Sequence, residues 1–163
     1  MNCQAQWRRS LFRTAIAIAA MAALGFRSQL GRADADPWTA ADVIDPAQLA
    51  RELAQATGGA RPTILYVGFR ALFKGGHIAG ALFHGTASTA QGLAELKTWA
   101  AALPRNTQVV IYCGCCPFDR CPNIRPGFVA LHGMGFGHLR VLMLPKNFAA
   151  DWADRGYPIE KGL

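Results

Sequence analysis

Four cysteines fall within nine residues, Cys113-Gly114-Cys115-Cys116-Pro117-Phe118-Asp119-Arg120-Cys121, directly after the apolar run Val109-Val110-Ile111-Tyr112. A β-branched run that ends in Cys-Gly predicts a strand delivering a thiol to its C-terminal end. In an open α/β sheet that end is where ligands bind. The apolar spacing of Ile124 to Met134 predicts a helix immediately after the cluster. A thiol in a loop at a helix N-terminus meets backbone N–H groups and the positive end of the helix dipole, and both favour the thiolate. The segment therefore reads as a reactive-sulfur loop.

The elements that must hold this loop are legible around it. Asp45-Pro46 opens a helix, with Asp45 as N-cap and Pro46 at the first helical position. Leu49, Leu53 and Ala56 form its apolar face, and Gly58-Gly59 stops it. Thr63 to Val67 predicts a buried strand, Gly68 to Gly76 a turn-rich connection, and Ile78 to Phe83 a second short strand. Leu93 to Leu103 predicts an amphipathic helix ending at Pro104, Leu139 to Leu144 a strand, and Phe148 to Arg155 a last helix stopped by Gly156-Tyr157-Pro158. Apolar strands alternating with helices predict an α/β fold, a parallel sheet covered on both faces.

The N-terminus predicts a separate role. A basic patch, Arg8-Arg9 through Arg13, precedes a short apolar run, Ala15 to Leu24, and Ala33-Asp34-Ala35 offers a small-x-small cleavage site. That is the layout of a secretory signal peptide, too short in its apolar part to span a membrane. Arg8-Arg9 fits twin-arginine export and general secretion alike. The expected organisation is a signal over residues 1–35, a linker over 36–42 and one domain over 43–163. The expected location is periplasmic or secreted, with membrane contact only through an uncleaved signal. Residues 1–35 carry five of the 17 basic and one of the 10 acidic residues, so cleavage leaves 12 basic against nine acidic, a charge of +3. The basic balance is thus mostly the signal's, and no basic run with interleaved aromatics supports nucleic-acid binding. Cleavage also removes Cys3. The other four cysteines are clustered, which argues against a stapling framework and for redox, sulfur-transfer or metal chemistry.

Four further stretches carry a resemblance to the single-domain rhodanese family. Tyr66-Val67-Gly68-Phe69-Arg70 sits where that family has a strand ending in an Asp-x-Arg turn. Gly76-His77-Ile78-Ala79-Gly80-Ala81 is similar to its Gly-His-Ile-Pro-Gly-Ala signature. Val109 to Cys113 resembles the strand that ends in the catalytic cysteine, and Asn147-Phe148 through Trp152 to Gly156-Tyr157-Pro158 resembles the closing stretch. Two departures stand out. Gly68 replaces the usual carboxylate, and the cysteine loop is extended by an insert carrying Pro117, Pro122 and extra cysteines.

The resemblance implies sulfur transfer through a persulfide on Cys113, with a small anionic sulfur substrate, a thiol or cyanide acceptor and no cofactor, in a monomer. Backbone around Gly114, Cys115 and Cys116 would cradle the sulfur, and Arg120 and Arg125 would hold an oxyanion in bidentate fashion. Arg70 and His77 are expected to be structural parts of the signature. Cys115, Cys116 and Cys121 admit three readings: a resolving thiol that pairs with Cys113, a Cys116–Cys121 disulfide that staples the loop, or, with Cys113, ligands of a soft metal. The leading expectation is no metal.

Overall fold

The structure is a computed structural model that describes residues 36–57 and 61–162. The expected signal, Cys3 and the Gly58-Gly59 helix stop lie outside the described residues. Among the described residues, no helix is long and apolar enough to cross a membrane.

Five parallel strands form the central sheet. They are β1 (Val43–Ile44), β2 (Thr63–Tyr66), β4 (Leu82–Phe83), β5 (Val109–Tyr112) and β6 (Leu139–Leu142), in the order β1-β6-β5-β2-β4. β5 lies in the middle, in register with β2 from Thr63↔Val109 to Tyr66↔Tyr112 and with β6 from Val109↔Leu139. All four β5 residues are buried, as expected of a central parallel strand whose residues read as one apolar run. The period of two sorts them. Leu65, Val67, Val109, Ile111 and Val141 pack with Leu96, Ile124, Phe128 and Leu131 on one face. Ile64, Tyr66, Val110, Tyr112 and Leu142 pack with Leu49, Phe73 and Trp152 on the other. Both faces are covered, as the alternating pattern predicts.

The helices start where their caps predict. In α1 (Pro46–Gln55) the Asp45 carboxylate accepts from the Gln48 N–H at 2.9 Å, a cap worth about 1 kcal/mol. α3 (Ala90–Ala101) begins earlier than its apolar face suggests, because Thr89 caps it by accepting from Gly92 N–H at 3.0 Å. α4 (Ile124–Gly133) follows the cysteine loop. α5 (Phe148–Asp151) is one turn long and continues as a 3-10 turn over Ala153–Arg155, which ends at Gly156.

Two expectations are corrected. The connection after β2 contains a helix, α2 (Arg70–Gly75), which buries Phe73 under the sheet. The single strand expected over Ile78 to Phe83 is two strands in different sheets. Gly80 takes φ +77 and the Ala81 N–H returns to the Ile78 carbonyl at 2.9 Å, so the chain turns between them. β3 (His77–Ile78) pairs antiparallel with β7 (Ile159–Glu160), and only β4 joins the main sheet. Residues 36–42, expected as a linker, include a 3-10 turn over Ala40–Asp42 and lead directly into edge strand β1.

Candidate active site

Cys113 follows β5 directly and is 2% exposed. The next residue, Gly114, has φ +74, and a Cβ there would lie 2.7 Å from Phe148 Cβ and 2.9 Å from Leu144 Cδ1. Its carbonyl accepts from the Phe148 N–H at 3.0 Å. The chain therefore turns sharply beneath α5, and only glycine fits the turn. The loop then runs through a 3-10 turn over Phe118–Arg120 and reaches α4.

This path gathers three sulfurs. Cys113, Cys115 and Cys121 have their Sγ atoms within 4.8 Å of one another. The Cys113 thiol points at Cys115 Sγ at 3.2 Å, and Cys115 Sγ stands 3.3 Å from Cys116 Sγ. All four cysteines of the loop are free of disulfides. Cys121 groups with Cys113 and Cys115.

Asn123 holds the cluster and was not legible as a site residue. It is fully buried. Its Nδ2 donates to Cys113 Sγ at 3.4 Å and lies 3.9 Å from Cys115 Sγ, while its Oδ1 accepts from the Ser88 N–H at 3.0 Å. The Ser88 bond sets the direction of the amide. In sequence Asn123 resembles an ordinary helix start, and the Ser88 contact spans 35 residues.

Cys121 is pulled toward ionisation. Cys113 packs beside it and the backbone at the head of α4 follows it, and these neighbours pull its pKa down to about 6 against the opposing effect of burial. The same contact and burial push the Cys113 thiol up. Burial and the neighbouring thiols push Cys116 up to about 12. Cys121 is distant from Cys113 along the loop but packs against it in space.

Gly68 and Tyr66 complete the surroundings of Cys113. A Cβ on Gly68 would lie 2.5 Å from Tyr66 Oη and 2.7 Å from Cys113 Sγ. There is no room for the carboxylate that the resemblance leads one to expect. Tyr66 is buried, and its hydroxyl has no hydrogen-bond partner. The Phe69 N–H approaches it without reaching hydrogen-bonding geometry. Burial first, and then the charge of the cysteines, push its pKa up, so it is a neutral donor. A cleft of about 560 Å³ opens here, lined by Tyr66, Leu72, Cys113, Cys115, Phe148 and Ile159 among others.

The expected arginines do not line this cleft. Arg125 bonds Asp36 through Nε at 2.8 Å and the Asp119 carbonyl through Nη1 at 3.1 Å, and its guanidinium lies over the Trp38 ring. Arg120 is an exposed side chain beside Asp119. Arg70 lies over the Phe83 ring at 4.5 Å. His77 is buried, stacked on Phe73 and donating from Nδ1 to the Phe73 carbonyl at 2.8 Å. Gly114, Cys115 and Cys113 are the expected site residues that meet at the cleft.

No family model matches the sequence, and no curated protein sequence compared with it does. Solved structures do. The rhodanese-like domain of the Alr3790 protein from Anabaena is 23% identical over 74% of this chain and 79% of that chain, with a TM-score of 0.54. A Saccharomyces cerevisiae homologue of single-domain rhodanese and of the Cdc25 phosphatase catalytic domain is 18% identical over 79% of this chain and 94% of that chain, with a TM-score of 0.51. A thiosulfate sulfurtransferase from Pseudomonas aeruginosa is 20% identical over 83% of this chain, with a TM-score of 0.50, and the match spans 24% of that longer chain. With its five-stranded parallel sheet and a cysteine at the end of the central strand, the chain has the rhodanese-like fold.

Proposed function

We propose that the protein is a sulfurtransferase that carries sulfane sulfur as a persulfide on Cys113. The observation that carries this reading is a buried thiol at the C-terminal end of the central strand, opening on a cleft and packed against a neighbouring thiol, Cys121. In the first half-reaction the Cys113 sulfur attacks the outer sulfur of the donor. The donor S–S bond breaks, its electron pair leaves with the departing thiolate or sulfite, and the Cys113 proton passes to Cys121. In the second, a thiolate or cyanide attacks the outer sulfur of the Cys113 persulfide. Cys113 then leaves and recovers the proton. The unpartnered Tyr66 hydroxyl is available to donate to the sulfur anion that develops in each step.

The lining favours an organic persulfide over thiosulfate. It is largely apolar and holds no guanidinium, and a small dianion would lose its water there without gaining a cationic partner. Export is part of the same proposal, with cleavage after Ala35 and action as a monomer in the periplasm or outside the cell.

Intact mass of the reduced protein, before and after a persulfide donor, tests the chemistry. Gain of one sulfur that disappears on adding a thiol, and is absent from Cys113→Ser, supports the proposal. A mass that does not change overturns it.

A further inference from the structure

The three convergent sulfurs are more than a nucleophile needs. A metal bonded to three thiolates at about 2.3 Å in a plane holds the sulfurs about 4 Å apart. Cys113, Cys115 and Cys121 already lie within 4.8 Å of one another, with one pair at 3.2 Å, so shifts of under about 1 Å bring them into that triangle. Nothing harder joins them. Among the described residues, the cluster brings no histidine or carboxylate into the set. An all-sulfur donor set selects soft ions.

We propose that Cys113, Cys115 and Cys121 form a three-coordinate copper(I) site. Each thiol gives up its proton as it binds, so loading releases protons and carries no change in oxidation state. Asn123 supplies the outer shell: its Nδ2 bonds Cys113 and reaches toward Cys115, and Ser88 fixes its direction. Cys116 adjoins Cys115 but stands outside the trio, so the four-sulfur set of a structural zinc site is not assembled. The cleft beside Cys113 and Cys115 admits the ion from solvent. The site is independent of the sulfurtransferase reading, and the two exclude each other in time because both use the Cys113 sulfur.

The test is an anaerobic titration of the reduced protein, in a Cys3→Ser background, with copper(I) held by a competing chelator. One equivalent should be retained, and X-ray absorption should show sulfur neighbours alone, three of them. Cys113→Ser, Cys115→Ser and Cys121→Ser should each weaken retention by more than the roughly 10–100-fold typical of losing an outer-shell partner. Asn123→Ala should fall within that range, and Cys116→Ser should change little. Failure to retain copper, nitrogen or oxygen neighbours in the absorption spectrum, or a loss in Cys116→Ser equal to the others, would overturn the site. The absorption measurement needs no variant, so a misfolded substitution does not decide the outcome.

Discussion

At the residue scale, the chemistry is divided between two cysteines. Cys113 offers the sulfur that faces the cleft, and Cys121 beside it is drawn toward the thiolate, first by Cys113 and then by the backbone at the head of α4. Below a pH of about 6 Cys121 is protonated and no longer takes the Cys113 proton. Persulfide formation should therefore rise through a pH of about 6, and Cys121→Ser should slow it and move the rise to higher pH; stopped-flow rates across pH check this. Cys113→Ser should abolish transfer without unfolding the protein, as read by turnover and circular dichroism. Tyr66→Phe makes a sharper distinction. Removing an unpartnered buried hydroxyl should leave stability unchanged or raise it, while transfer drops by about 10-fold if that hydroxyl donates to the sulfur anion. Denaturant midpoints and turnover, measured on the same preparation, separate the two effects.

At the scale of elements, the extended loop is held from outside the cluster. Trp38 packs its ring 5.4 Å from Phe118 and 5.5 Å from Phe128, and Arg125 ties Asp36 to the Asp119 carbonyl. This clamp joins the segment before β1 to the 3-10 turn of the loop and to α4. The loop also sets which thiols meet. Cys113 and Cys115 stand with their sulfurs 3.2 Å apart, so oxidation should trap Cys113 with Cys115. Disulfide mapping of oxidised protein should find that pair, and mild reduction should raise turnover several-fold. A mapped Cys116–Cys121 bridge, with turnover indifferent to reductant, would refute it.

At the scale of the whole molecule, the sheet is tied across its layers by a pair far from the sulfur cluster. Arg140 on β6 holds Glu52 on α1 through two bonds, at 3.0 and 2.8 Å. The guanidinium holds the Glu52 carboxyl below its ordinary range. A lowered carboxylate stabilises the fold above its unfolded pKa, and that contribution is lost as pH falls through the folded value. The pair is partly exposed, so it contributes at most about 1 kcal/mol. Glu52→Gln should therefore lower the denaturant midpoint at neutral pH and match the unsubstituted protein in acid.

The central strand, the helix starts at Asp45 and Ile124, and the cysteine-bearing strand end were legible in the sequence because local patterns determine them: an unbroken apolar run, a capping carboxylate before proline, and helical spacing. The α/β class followed from their alternation. Only the tertiary structure decided what surrounds the sulfur. The contacts of Asn123 with Ser88 and with Cys113 join distant parts of the chain, and no local pattern records them. The space above Gly68 is filled by Tyr66 and Cys113, so a missing carboxylate became a packing requirement. Arg120 and Arg125 have the chemistry of anion binders, but the direction of a long side chain is set by its partners, and here those are Asp119, Asp36 and Trp38. Residue type announces which chemistry is available; the packing of separate elements decides which groups face the sulfur.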